Sequence, residues 1–283
     1  VLIIAISVSK SLGLNFSQVI DTIQNSSYSK VFFFDDFGDQ KHFLKQFLSG
    51  VFMAIVMTGL DQDQMQKNLS CKNLGEAKKN MFVFSTILIV VDLLFLSLGA
   101  LLYIYSSEIG LAIPSDADML FPNIALNSGL PEYVGILFII GIIAAAYSSA
   151  DSALTSLTTS FCVDIIDFKK YNSEKQIFIR KYSHLLLSLV LLGVILLFRS
   201  INDQSVIKSL FTVAGYTYGP LLGLYSFGMF TKINIRDKLV PLICIVSPVI
   251  CYFIKMRFSS IGFELLMING LITFLLLLIC RKN

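Results

Sequence analysis

The chain alternates between long apolar runs and shorter polar connections. A helix needs roughly 20 apolar residues to cross about 30 Å of hydrocarbon. The pattern predicts an all-α polytopic membrane protein, with 1–283 as a single transmembrane domain. The predicted spans are residues 1–12, 43–60, 81–105, 134–163, 182–198, 205–230, 239–253 and 261–280.

Composition favours the same class of protein. Hydrophobic residues make up 55% of the chain, charged residues make up 14%, and the mean hydropathy is +0.75. A water-soluble fold cannot bury so large an apolar excess, so a lipid bilayer is expected around it. The chain begins at Val1 without a methionine, a basic segment or a cleavage site. We therefore expect a fragment that lacks earlier helices.

Basic residues are distributed unevenly between alternate connections. Of the 22 Lys and Arg residues, 14 follow the even-numbered runs, whereas the connection 104–133 has none. By the positive-inside rule, segments 61–80 and 164–181 face the cytoplasm, and segments 13–42 and 104–133 face outward. We therefore predict a multi-pass protein of the cell (inner or cytoplasmic) membrane.

The run 134–163 is the richest in polar side chains. Ser148 lies about 21 Å along a helix of about 45 Å, near the middle of a bilayer. Hard oxygen donors at that depth suit a small cation such as Na⁺. Spacings of 3, 4, 3 and 4 residues place a set of small and hydroxyl residues on one helical face. They are Ala145, Ser148, Ser152, Thr155 and Thr159.

The same residues have other possible roles. Serines in membrane helices often serve close packing or hydrogen bonds between helices. Asp151 could help to bind a cation, carry a proton or form a structural ion pair, and Asp92 could be a structural hydrogen-bonding residue. Gly50 and Gly59 could allow local unwinding, while Pro220 predicts either a hinge or a static kink.

Three blocks of sequence resemble the sodium:solute symporter family. The resemblance implies a LeuT-like core of two inverted repeats, of which this chain would contain the second repeat and two extra helices. The blocks are Gly59–Ala77, Ala144–Leu154 and Gly215–Gly223.

Roles for individual residues follow from that resemblance. It implies that the Ala145 carbonyl and the Ser148 and Ser149 hydroxyls bind sodium, and that a second cation could bind near Asp151 and Ser152. By the same correspondence, a set on and after the second run would line the substrate cavity. These residues are Ala54, Met57, Thr58 and Gln62.

The implied function is sodium-coupled symport of a small organic solute by alternating access. Expected partners are the solute, Na⁺ as the only metal and coupling ion, and the lipid bilayer, with no other cofactor and no nucleic acid. Proton coupling through Asp151 and a transporter-like sensor remain alternatives. A channel would need a pore-lining ring or filter loop. An enzyme is not expected, because no HExxH or GxSxG motif occurs.

Overall fold

The computed structural model describes residues 1–201, 206–258 and 260–282, and the regular structure in these ranges is helical. Ser205, where the sixth predicted run begins, and Asn283 lie outside them. The helices are α1 (Leu2–Ser11), α2 (Phe16–Gln24), α3 (Phe43–Gly59), α4 (Gln62–Leu69), α5 (Leu74–Glu108), α6 (Leu120–Asn127), α7 (Glu132–Ser160), α8 (Ser173–Ile201), α9 (Val206–Phe230), α10 (Val240–Arg257) and α11 (Leu265–Ile279).

Several helices are long and apolar enough to cross a membrane. In the described residues, four helices are long and apolar enough to be spans. The number rises to as many as six if each of two bent helix pairs counts as one span. Much apolar surface points outward: Phe82 and Leu96 on α5 are 74% and 72% exposed. Such side chains are stable on a surface when lipid covers them. The chain is therefore an all-α, multi-pass membrane protein.

Polar residues extend two helices beyond their apolar runs. The Asn73 side chain accepts a hydrogen bond from the Glu76 backbone N–H at 2.9 Å, which caps α5 ahead of the predicted run 81–105. Similarly, α8 starts at Ser173, nine residues before the predicted span. The predicted outward segments hold short helices, α2 and α6, rather than long unstructured loops.

The described contacts divide into two compact units. The first unit comprises Val1–Lys30 and Gln62–Ser205, and the second comprises Val31–Asp61 and Val206–Asn283. The prediction of one transmembrane domain stays a prediction.

The first unit has its core where α1, α5, α6 and α7 meet. Tyr105 of α5 is 2% exposed and packs with the buried Val8 and Ile124. Val134, near the start of α7, joins this cluster, so the first turns of α7 are anchored in the core. The polar half of α7 begins beyond it.

The second unit contains α3, α9, α10 and α11. The helices α9 and α11 approach closely through glycines: a Cβ on Gly223 would lie 2.5 Å from Thr273 Cβ and 2.6 Å from the Gly270 carbonyl oxygen. α9 continues as a helix through Pro220, and α3 continues through Gly50 and ends at Gly59. Local unwinding at Gly50 is thus not seen in this structure.

Candidate functional site

The predicted sodium ligands lie together on α7. Ala145, Ser148 and Ser149 are all exposed in the described part of the chain. In that part, neither serine hydroxyl makes a hydrogen bond, although hydroxyls two turns later bond to carbonyls of their own helix. The oxygen atoms of Ser148 and Ser149 are therefore available to bind a ligand.

The next turn of α7 is held by a carboxylate from α4. Ser152 donates its hydroxyl hydrogen to Asp63 Oδ1 at 2.7 Å, and Ser156 Oγ lies 3.2 Å from the same oxygen. The single hydroxyl hydrogen of Ser156 is shared between Asp63 Oδ1 and the Ser152 carbonyl oxygen, which lies 3.1 Å away. Ser152 is half-buried and Ser156 is buried, so this contact connects α4 to the inner side of α7.

The other oxygen of Asp63 meets a basic side chain. Lys67 Nζ lies 2.6 Å from Asp63 Oδ2, one turn along α4. The ammonium group of Lys67 therefore balances the charge of the Asp63 carboxylate.

The contact between Ser152 and Asp63 separates the two residues of the second predicted cation site, Asp151 and Ser152. Asp151 is exposed, with no hydrogen bond or ion pair in the described residues, whereas Ser152 turns toward Asp63. A second cation site at these two residues stays a prediction. Asp63, which has the closest polar contact with this helix face, was not among the predicted ligands.

Only some of the contacts of Asp63 could be predicted from the sequence. It lies in the Gly59–Ala77 block, but Ser152 is 89 positions away along the chain. Local spacing cannot indicate such a contact. The one available signal was the i,i+4 placement of Asp63 and Lys67, which predicts an ion pair but not the serine partners.

A second polar contact joins α7 to α8. Thr158 Oγ1 donates to the Leu154 carbonyl oxygen at 2.6 Å and lies 3.1 Å from His184 Nδ1. The threonine hydrogen is already used, so Nδ1 must carry the hydrogen in the second contact. Thr155 and Thr159 of the predicted hydroxyl face are exposed, whereas Ser156 and Thr158, which were not in that set, are buried.

The predicted substrate-binding residues lie on α3 and at the start of α4. Ala54 is exposed, while Met57 and Thr58 are half-buried in the second unit. Gln62 is exposed and is the first residue of α4, in the first unit. Their role in binding a substrate stays a prediction.

The second unit has a buried polar cluster in which each side chain has partners. Asn269 Nδ2 lies 3.0 Å from the carbonyl oxygens of both Gly215 and Tyr216. Thr273 Oγ1 lies 2.8 Å from Ser247 Oγ, and the Ser247 hydroxyl is hydrogen-bonded to the Asn269 side chain. These groups bond to one another and to backbone, as polar groups inside a membrane must.

No group of three or more His, Cys, Asp or Glu side chains in the described ranges is placed to hold a metal ion. Oxygen ligands for an alkali cation are a different case, because hydroxyl and carbonyl oxygens suffice for them. Together, the spanning helices and the hydroxyl-rich face of α7 define a multi-pass membrane protein with uncharged oxygen groups on one helix face.

Comparison with known proteins identifies sodium/solute symporters as homologues. The chain is 24% identical over 204 residues to the sodium/sialic acid symporter NanT of Aliivibrio fischeri, covering 70% of this chain and 40% of that protein. It is 27% identical over 188 residues to the sodium-dependent multivitamin transporter of Oryctolagus cuniculus, covering 64% and 29%. It is 25% identical over 189 residues to sodium-coupled monocarboxylate transporter 1 of Mus musculus, covering 64% and 30%.

These findings confirm the resemblance to sodium:solute symporters, and the homologues are transporters rather than enzymes. The chain matches 40% or less of the length of each of these three relatives. No family model matches the chain. No solved structure matches it either, so the LeuT-like arrangement of repeats stays a prediction.

Proposed function

We propose that the protein is a sodium-coupled symporter that moves a small organic solute across the cytoplasmic membrane by alternating access. Na⁺ binds at the Ala145 carbonyl and the Ser148 and Ser149 hydroxyls. The observation that supports this assignment best is the pair of serine hydroxyls without hydrogen bonds on α7, in a chain whose homologues are sodium-dependent.

Neutral oxygen ligands fit the task of a coupling ion. They can replace part of the hydration shell of Na⁺ without adding a fixed charge that would slow its release. Coupling requires only that Na⁺ and solute bind one conformation more tightly than the other. No chemical catalysis is needed, and no cofactor other than the ion enters this proposal.

An organic acid is the first solute to test. One relative is named for sialic acid and another for monocarboxylates. In our proposal the solute contacts Ala54, Met57 and Thr58 on α3, together with Gln62. These side chains are small, apolar or uncharged, so they would provide shape and hydrogen bonds rather than a charge partner.

The test is solute uptake by cells that express the full-length product, with and without a sodium gradient. The panel comprises sialic acid, monocarboxylates, vitamins, sugars and amino acids. Ser149→Ala removes one proposed ligand and should raise the Na⁺ concentration for half-maximal uptake about tenfold, as expected for a lost bond to a charged partner. Ser97→Ala is the matched control, because Ser97 is exposed and, among the described residues, its hydroxyl bonds only to its own helix.

Uptake that requires sodium, with weaker sodium activation in Ser149→Ala but not in Ser97→Ala, supports the proposal. Uptake indifferent to both sodium and Ser149 overturns it. If uptake instead follows a proton gradient and is lost in Asp151→Asn, the exposed Asp151 carboxylate takes the place of sodium as the coupling group.

A further inference from the structure

We propose that Asp63 is a positioning residue for the cation site of α7. This inference rests on the proposed function. Asp63 does not touch the ion in this proposal: it holds Ser152 and Ser156, and thereby fixes the turn of α7 that presents Ser148 and Ser149.

The geometry of the contact supports a positioning role. A single oxygen, Asp63 Oδ1, meets two hydroxyls one helical turn apart, at 2.7 Å from Ser152 and 3.2 Å from Ser156. Two contacts along one helix resist both rotation and sliding of that helix, whereas one contact would act as a pivot. Ser156 is 4% exposed, so its hydroxyl is held where water has little access.

The held turn adjoins the proposed ligands directly. Ser152 follows Ser148 by four residues and Ser149 by three, so all three side chains lie on neighbouring positions of one helical surface. A rotation of α7 at Ser152 would therefore move Ser148 and Ser149 as well. Cation ligation by neutral oxygens depends strongly on such placement, because no fixed charge compensates for a misplaced ligand.

The charge of Asp63 does not position the cation, because this charge is already balanced. Lys67 Nζ lies 2.6 Å from the second carboxylate oxygen. A paired carboxylate and ammonium exert little net field on a neighbouring cation. What remains for Asp63 to contribute is the acceptor oxygen, and an asparagine side chain also has one.

This distinction leads to the test. Asp63→Ala removes the acceptor and should raise the sodium concentration for half-maximal uptake about tenfold, the size expected for hydrogen bonds to a charged group. Asp63→Asn keeps an acceptor oxygen, so its half-saturating sodium concentration should stay within about threefold of that of the unaltered protein. This difference corresponds to less free energy than one hydrogen bond to a charged group. The KM for the solute at saturating sodium should change little in both variants.

Two further variants separate position from charge. Lys67→Gln keeps the acceptor oxygen that meets Ser152 and Ser156, so it should not raise the half-saturating sodium concentration. Asp167→Asn is the matched control for the loss of an acid–lysine pair, because Asp167 Oδ2 and Lys170 Nζ are 2.7 Å apart and the described residues give Asp167 no serine partner. Hydrogen exchange over residues 152–165 should increase in Asp63→Ala alone, which reports the loosened turn even if expression falls.

The results distinguish the two proposals. Sodium-dependent uptake in the unaltered protein, with unchanged sodium activation in Asp63→Ala, overturns the positioning role and leaves the symporter intact. Sodium activation that weakens equally in Asp63→Asn and Asp63→Ala, and strengthens in Lys67→Gln, also overturns it and assigns the effect to charge. Uptake that is independent of sodium in the unaltered protein overturns the symporter proposal and this inference with it.

Discussion

The side-chain nitrogen of Asn269 on α11 donates a hydrogen bond to the carbonyl oxygen of Tyr216 on α9, across 3.0 Å. Pro220 follows Tyr216 by four residues and has no backbone N–H, so the usual helical partner of this carbonyl is missing. Asn269 supplies the missing donor from a neighbouring helix. Its side chain is fully buried, and the contact lies within the second unit.

Asn269→Ala should therefore destabilise the second unit. It leaves the Tyr216 carbonyl without its donor from α11 and removes one of the hydrogen bonds of the Ser247 hydroxyl, at a cost of about 1–3 kcal/mol in unfolding free energy. Thermal unfolding of the protein in detergent measures the effect. Asn127→Ala is the control, because Asn127 is exposed and, in the part of the chain that the structure describes, its side chain bonds only to Asn123 within α6.

A second substitution tests the reason for that loss. Pro220→Ala restores a backbone N–H that can reach the Tyr216 carbonyl, so it should reduce the cost of Asn269→Ala when the two are combined. Additive effects of the two substitutions would mean that Asn269 does not compensate for the proline.

Close packing of α9 on α11 gives another prediction. Gly223→Ala places a Cβ within 2.6 Å of the Gly270 carbonyl oxygen, which is backbone and cannot swing away. Overpacking of this kind should cost about 1–3 kcal/mol. Gly228→Ala, on the same helix with open space around its Cα, should be neutral or slightly stabilising. Equal melting temperatures for the two variants would contradict the close contact.

The contact between Thr158 and His184 predicts a tautomer. Because the Thr158 hydroxyl donates to the Leu154 carbonyl oxygen, the neutral imidazole of His184 should carry its hydrogen on Nδ1. Nitrogen-15 NMR of histidine-labelled protein can read this directly. The chain has 2 histidines, and His42→Gln assigns the signals. Thr158→Val should remove the preference, whereas Thr158→Ser should retain it; a neutral His184 with its hydrogen on Nε2 would refute the assignment.

The sequence predicted the all-α membrane class correctly, because long apolar runs have one stable form in lipid. The apolar runs did not predict where helices end. The segment Leu74–Asn80 is polar, yet it is helical, because the Asn73 cap and intrahelical hydrogen bonds extend α5 past the apolar run. Hydropathy measures what lipid accepts, whereas a helix ends where its backbone bonding ends.

Contacts between distant residues were beyond the reach of sequence spacing. Asp63 was part of a recognised block, but its serine partners could not be inferred from position alone. Asn269 was missed although two signals pointed to it. An asparagine inside an apolar run needs a partner, and Pro220 implies that a carbonyl four residues earlier needs a donor. The predicted ligands Ser148 and Ser149 still rest on resemblance and on their unbonded hydroxyls.

The turn that follows α7 can accommodate the deletion of one residue. Phe161–Ile165 forms a π-helical turn, in which the Ile166 N–H bonds to the Phe161 carbonyl oxygen, five residues back, at 3.0 Å. Such a turn holds one residue more than an α-helical turn. Deleting one residue there would return the helix to ordinary register while Ser148, Ser152 and Ser156 keep their places. Homologous chains can therefore differ by one residue at this point without altering the serine face.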